Sequence, residues 1–442
     1  MPGPPGSYPP GVCPSDEPGP AKRVLLTVFE PSGDVLAARL VRELRQRRPG
    51  WRFFGLGGPR MAEAGVELLE ETVGHAAMGV GTGVVREGRE LLRRKKLVRD
   101  WLGGEPLDLL IPCDAPAANW SFCNLVRKRQ PRAKIVHLVC PQVWAWASWR
   151  VRRLQRGSDL VLCLLPFEPA WLAAHGVRGV FVGHPLFEDA ALEPRPASAA
   201  ADLPAGGLKL AFLPGSRSSE VQKNWPDMLE IFERLRHRHP DLVVGVAAAS
   251  RERAEQLRRS SPGGRLPTRM GLAVGDASAV LDWADAAVVV SGTATLEAAS
   301  RGCPHVIAYR AGPEWLWKLL APALIRTRTF GLPNLLAERL GVVGDAETVA
   351  AARIGRGVGP ADRLVPEFVP HFGGTTEIAD ALRPLLEPGS PAAQRQRDGF
   401  ARIREAFASV GFAAAACEAL LGVVEAGADP PEELVDADEQ PR

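Results

Sequence analysis

Seven residues, Ser291 to Glu297, read S-G-T-A-T-L-E and combine hydroxyls, a glycine and a carboxylate. The apolar run Ala286 to Val290 precedes them, and a helical pattern follows as far as Gly302. The pattern predicts strand, tight turn and helix. Such a junction offers N–H groups without intrahelical partners, plus the positive end of a helix dipole, so Ser291, Gly292 and Thr293 make a candidate anion site. Glu297 stands one turn further on, where a carboxylate can accept hydrogen bonds from a ribose diol. Phosphate donors and a diol acceptor one turn apart point to a nucleotide-diphosphate pocket. An ordinary capped helix with a solvated Glu fits the same residues, because strand–turn–helix junctions recur throughout α/β proteins.

A second constellation is Pro214-Gly215-Ser216-Arg217, at the end of the apolar run Leu208 to Leu213, with Glu220 and a helix from Trp225 to His239 behind it. Glycine frees the backbone, Ser216 supplies a hydroxyl, and Arg217 supplies a planar fork matched to a diphosphate. The alternative is a surface turn with an exposed Arg. Asn334, in Leu332-Pro333-Asn334, either hydrogen-bonds a base or phosphate or caps a turn.

The first half of the chain holds the carboxylates. Asp114 follows the strand-like run Leu107 to Pro112 and is flanked by small and apolar residues. Burial there raises a carboxyl pKa and suits a general base; equally, Asp114 is placed to cap the helix Ala118 to Arg129, with Pro116 in its first turn. Glu30-Pro31-Ser32-Gly33-Asp34 ends the run Val24 to Phe29. Ser32 or Asp34 caps the helix that follows, or the loop backbone faces a ligand at the carboxyl end of the strand. Trp144 and Trp146, after the strand Lys134 to Val139, form either a groove wall for a sugar or acyl chain or simple core.

The elements that must position these residues alternate strand and helix. At least six such alternations precede an Ala/Pro/Gly-rich stretch, Glu188 to Gly207, that reads as a linker; a second series follows it. The chain has 442 residues, enough for two domains. Its 46% hydrophobic and 24% charged residues support a large core. The net charge of +3 from 54 basic and 51 acidic residues gives no concentrated basic footprint, so nucleic acid is not an expected partner. The run Arg93-Arg94-Lys95-Lys96 lies on an amphipathic helix, Glu87 to Leu102, that is either a solvated face or a surface for anionic membrane. Seven dispersed Cys without a C-x-x-C pair, and eight His without ligand spacing, predict reduced buried thiols and no metal site. The first 20 residues read as a disordered tail rather than a signal peptide, as does the acidic end, 427–442. No run of 18 apolar residues is present.

Ten motifs in order then resemble the lipid-A-disaccharide synthase family: E-P-S-G-D at 30–34, G-L-G-G-P-R-M at 55–61, D-A-P at 114–116, P-Q-V-W-A-W at 141–146, L-P-F-E at 165–168, G-H-P at 183–185, L-P-G-S-R-S-S-E-V at 213–221, S-G-T-A-T-L-E at 291–297, L-P-N-L-L-A at 332–337 and V-P-E-F at 365–368. The resemblance runs from about residue 23 to about 422. It implies an α/β fold of GT-B type, two Rossmann-like doubly wound domains facing a central cleft. The first, 21–187, would take the acceptor; the second, 208–395, would bind the UDP-sugar; helices over 396–426 would pack back on the first.

The resemblance further implies condensation of UDP-2,3-diacylglucosamine with 2,3-diacylglucosamine 1-phosphate (lipid X), inverting, without metal or other cofactor, on the cytoplasmic face of the inner membrane as a peripheral protein. It carries Asp114, with Glu30 and Ser32, over as catalytic. Ser216, Arg217, Glu220, Ser291, Gly292, Thr293, Glu297, Tyr309, Arg310 and Asn334 become the UDP-sugar site. Met78, Trp144, Trp146 and Arg150 become the acceptor or acyl groove. The departures cluster on the acceptor side: Phe29 and Pro31 replace the family's Gly and Ala, Ala147 stands where an Arg is usual, the pattern at 78–83 lacks its acid, and roughly two dozen residues are inserted over 341–364. Two other functions fit part of the pattern: a different GT-B enzyme using UDP-GlcNAc, against which D-A-P and P-Q-V-W-A-W argue, and a nucleotide-sugar binder without catalysis.

Overall fold

The computed structural model describes residues 21–73, 83–145, 147–191, 202–310, 314–315, 327, 329–343 and 363–425. Two parallel sheets form, each from near-continuous apolar runs that helices cover on both faces. The first contains β1 (Arg23–Thr27), β2 (Arg52–Gly57), β3 (Glu67–Glu71), β4 (Leu109–Pro112), β5 (Lys134–Leu138), β6 (Leu160–Cys163) and β7 (Gly179–Phe181), in the order β3-β2-β1-β4-β5-β6-β7. The second contains β8 (Lys209–Leu213), β9 (Val243–Ala248), β10 (Met270–Val274), β11 (Ala286–Val290), β12 (His305–Arg310) and β13 (Glu367–His371), in the order β10-β9-β8-β11-β12-β13.

Alternation along each strand divides the core. Val24, Leu26 and Val28 pack toward the helix Pro31–Arg47, whereas Leu25, Phe54 and Leu110 pack toward the helices Gly83–Trp101 and Pro116–Arg129. In the second sheet Val288 and Val290 face the helices Ser218–Arg236 and Thr376–Leu386, and Ala287 and Val289 face Ala277–Trp283.

The strand order fixes where a ligand can sit. In the first sheet the chain moves outward from β1 through β2 to β3, then returns to place β4 on the other side of β1. In the second it moves from β8 through β9 to β10 and returns to β11. At each reversal, adjacent strands send their following loops in opposite directions, which opens a crevice at their carboxyl ends. Glu30 and Asp114 follow β1 and β4; Arg217 and Ser291 follow β8 and β11. The four motifs with chemical content thus occupy the two switch points.

The chain end departs from expectation. The helix Pro391–Glu405 begins before residue 396 and stays with the second domain, against Thr376–Leu386 and Leu332–Arg339. Only Phe412–Glu425 crosses back. It buries Phe412, Ala416, Cys417, Leu420 and Leu421 in the first core, and Arg48 pairs with Glu425 at 2.7 Å. The break between them carries Phe407, which stacks on Phe187 of the first domain at 4.0 Å. β3 is not legible in the sequence, because E-L-L-E-E neither alternates nor contains β-branched residues.

Candidate active site

Asp34 shows how the first loop is built. It does not cap its own helix. One carboxylate oxygen accepts the N–H groups of Gly58 and Met61 at 3.1 and 3.0 Å, and the other accepts that of Arg60 at 3.0 Å. Asp34 therefore caps the helix Pro59–Glu63 and fastens the loop after β1 to the loop after β2. Gly33 lies beneath, where a Cβ would come within 3.0 Å of Val28 and 3.2 Å of Cys113. With these contacts fixed, Glu30 and Ser32 remain at the solvent side of the helix start.

Asp114 occupies a strained turn. It and Ala115 have φ of +46° and +39°, a conformation that costs an L residue roughly 1–2 kcal/mol. The helix behind starts with Pro116, whose lack of an N–H suits the first turn, and has no side-chain cap. Asp114 is therefore no N-cap, and its carboxyl remains at the strand end. Burial raises its pKa, opposed by the Ala115 N–H and by the charge of Arg217.

Across the cleft, Gly215 has φ of +106°, and any Cβ there would meet Glu220 at 2.6 Å. Glu220 bends back over the loop and accepts from the N–H groups of Ser216 and Arg217 at 3.0 and 3.2 Å and from the Arg217 guanidinium at 3.0 Å. Glu220 thus shapes the loop and holds Arg217. Arg217 reaches the other domain, 3.7 Å from the Glu30 carboxylate. Burial, then the charge of Asp114, raises the Glu30 pKa, with Arg217 opposing. Glu30, Asp114 and Arg217 thus form one electrostatic group drawn from both domains.

The loop after β11 matches the sequence reading in form. Gly292, at φ +155° and ψ −163°, precedes the helix Thr293–Ser300, which no side chain caps; Gly292 and Thr293 are exposed. Glu297 accepts from the Ser278 hydroxyl at 2.7 Å. Tyr309 is half-buried near the end of β12.

Several of the expected site residues are engaged within the protein. The Arg310 fork is held by both oxygens of Asp227, at 2.7 and 2.9 Å, and by the Gly373 carbonyl, so it braces the end of β12 against the helix Ser218–Arg236. Asn334 is wholly buried: its amide donates to the Val365 carbonyl and Glu367 at 2.9 Å each and accepts the Val365 N–H at 2.8 Å. It joins the helix Leu332–Arg339 to the approach of β13 instead of facing the cleft. Trp144 is core: its indole N–H donates to buried Glu168 at 3.1 Å, and its ring meets Phe167 edge-on. Arg150 is buried with its guanidinium 5.1 Å from the Trp120 ring. Met78, Trp146 and most of the 341–364 insertion lie outside the described residues. Among the described residues, the one group with metal-ligand character is Cys140, Cys163 and Glu168, buried beneath Trp144.

A family model described as Lipid-A-disaccharide synthetase matches residues 24–344. The chain belongs to this family. It is 36% identical to the lipid-A-disaccharide synthase of Pseudomonas putida KT2440 over 84% of this chain and 92% of that one, and 38% identical to that of Azotobacter vinelandii over 83% and 90%. Among solved structures, it is similar in fold to Staphylococcus aureus MnaA with UDP (TM-score 0.57, 10% identity, 92% and 96% covered) and to the glycotransferase of kitacinnamycin (0.55, 17%, 92% and 100%). The two facing α/β domains are the GT-B fold, and this member of the lipid-A-disaccharide synthase family is a glycosyltransferase.

Side chains that sequence reading missed are those that hold the site rather than meet a ligand. Asn119 binds the Asp114 turn, Asp227 binds Arg310, and Glu168 binds Trp144. The available signal was polarity in an apolar context: Asn119 lies inside a buried helix face.

Proposed function

We propose that the enzyme transfers a 2,3-diacylglucosaminyl group from its UDP donor to the 6-hydroxyl of 2,3-diacylglucosamine 1-phosphate (lipid X). Asp114 takes the hydroxyl proton as its oxygen bonds to the anomeric carbon from the face opposite UDP. The anomeric carbon–oxygen bond to the diphosphate breaks, UDP leaves with the electron pair, and the product is β-1,6-linked. Arg217 and the uncapped helix start at Thr293 stabilise the charge gathering on UDP. Ser216, Ser291, Glu297 and Tyr309 line the donor side; Glu30 and Ser32 line the acceptor side with Asp114. The observation that carries this reading is the Arg217–Glu30 approach of 3.7 Å, which brings the two switch points to one place beside a carboxyl of raised pKa.

The lipid substrates imply a membrane surface, and the reading extends to peripheral binding at the cytoplasmic face of the inner membrane. No helix among the described residues is long and apolar enough to cross one. Exposed Leu92, Trp149 and Trp315 supply apolar contacts, and Lys95 and Lys96 supply charge. Arg93 and Arg94 both pair with Glu70, at 2.6 and 2.8 Å, so half of that basic run is engaged within the protein.

The test is transfer itself: purified protein with both substrates and EDTA, following UDP release and disaccharide mass. Equal amounts of both products are expected. UDP without disaccharide, or neither product with donor still bound, refutes the reading.

A further inference from the structure

The strained turn at Asp114 is held from below by one buried amide. Asn119, on the first turns of the helix Pro116–Arg129, is wholly buried. Its side-chain nitrogen donates to the Cys113 carbonyl at 3.0 Å and to the Asp114 carbonyl at 2.7 Å. Its oxygen accepts from the Thr27 hydroxyl at 2.6 Å, and Thr27 is also wholly buried. The reverse amide orientation would set an oxygen against two carbonyl oxygens, so the network admits one arrangement.

These three bonds tie together the last residue of β1, the turn after β4 and the helix that follows. That is the first-domain switch point itself. The left-handed φ values at Asp114 and Ala115 turn the Cys113 and Asp114 carbonyls toward the Asn119 amide, where both find donors. Without Asn119, both would lose a buried partner and the turn would lose the contact that stabilises its strained form. We propose that Asn119 is a positioning residue: with Thr27 behind it, it fixes the backbone from which the Asp114 carboxyl reaches the acceptor hydroxyl. The proposal rests on the reading of Asp114 as the general base.

A mutant cycle on the full-length enzyme tests it. Because misplacing a catalytic group by about 1 Å costs ~100-fold, Asn119→Ala should lower kcat by about that factor and leave UDP affinity within about 2-fold. Thr27→Val, which removes the hydroxyl at constant shape, should lower kcat by roughly 10-fold, while Thr27→Ser should restore it. Adding Asn119→Ala to Asp114→Asn should lower kcat no further, since the positioned group is already gone. Losses that multiply, or an Asn119→Ala enzyme with unchanged kcat, overturn the proposal. Should Asn119→Ala fail to fold, the Thr27→Val and Thr27→Ser pair, each combined with Asp114→Asn, decides the same question. Full turnover by Asp114→Asn alone would remove the base assignment, and the proposal with it. That outcome is distinct from an Asp114-dependent enzyme indifferent to Asn119.

Discussion

Glu30 stands beside Arg217, where it would compete with a diphosphate for the guanidinium. Replacing Glu30 by Gln keeps the shape and removes one negative charge 3.7 Å from the guanidinium. Coulomb's law at that distance gives ~1 kcal/mol in water. The side chains are 66% and 40% exposed, so solvent screening and the freedom of two long side chains cut the pair's worth to about 0.5 kcal/mol. Global stability should therefore change by less than about 0.5 kcal/mol. UDP affinity responds to two effects of the same sign: Arg217 is released, and a carboxylate facing the diphosphate is lost. Together they should tighten UDP binding by about 3-fold at low ionic strength, falling toward no change in 1 M salt as the Debye length contracts to ~3 Å. Titration calorimetry of UDP against parent and Glu30→Gln proteins, at low and high salt, measures this directly. Unchanged or weaker binding at low salt would refute the view that Glu30 and the donor share Arg217.

Four further outcomes follow from the same contacts. Arg217→Lys loses the planar fork while keeping charge, and UDP binding should weaken by about 10-fold or more in the same calorimeter. Asp114→Asn should lower turnover by roughly 10²–10⁴-fold, to a measurable residual rate, with UDP binding retained; in the parent, the acid limb of kcat/KM should fall above the ordinary aspartate value of 3.8, because a raised pKa protonates the base earlier on acidification. Asn334→Ala should destabilise the fold by ~2–3 kcal/mol in urea unfolding, since it strands the buried Val365 N–H and carbonyl; lost UDP affinity at full stability would return Asn334 to the donor site. Vesicles containing anionic lipid should retain the protein at low salt and release it at high salt, and Lys95→Glu/Lys96→Glu should abolish retention; no retention by the parent at low salt counts against the membrane surface.

Legibility followed the physical origin of each signal. The switch-point loops were readable because they need particular residue types: Gly215 for a positive φ, Ser and Thr at an uncapped helix start, Asp at a strand end. Fold class was readable because buried parallel strands leave continuous apolar runs, as in Ala286–Val290. The roles of Glu220, Arg310 and Asn334 were not, because a polar residue in a motif looks the same whether it meets a ligand or a neighbouring backbone. Only three-dimensional placement shows that Val365 lies across from Asn334, or Asp227 across from Arg310. Trp144 stayed open between two roles for a related reason: an aromatic residue after a strand suits groove and core alike, and its partner Glu168 lies 24 residues further on.

Glu168 turns that last pairing into a measurable property. It is buried and satisfied by the Leu165 N–H at 3.0 Å and the Trp144 indole N–H at 3.1 Å, yet burial still outweighs these donors and raises its pKa from 4.5 to about 7. Between those values the folded protein keeps a proton that the unfolded chain has released. Stability should therefore be highest below pH 4.5 on this account and decline as pH rises to about 7, by an amount on the order of 3 kcal/mol before other groups are counted. Glu168→Gln, which cannot ionise, should flatten that part of the profile; urea unfolding from pH 5 to 8 reads the difference between parent and variant. A difference that stays constant across this range would mean that Glu168 does not titrate there, and that the Trp144 loop is held by a carboxylate already charged.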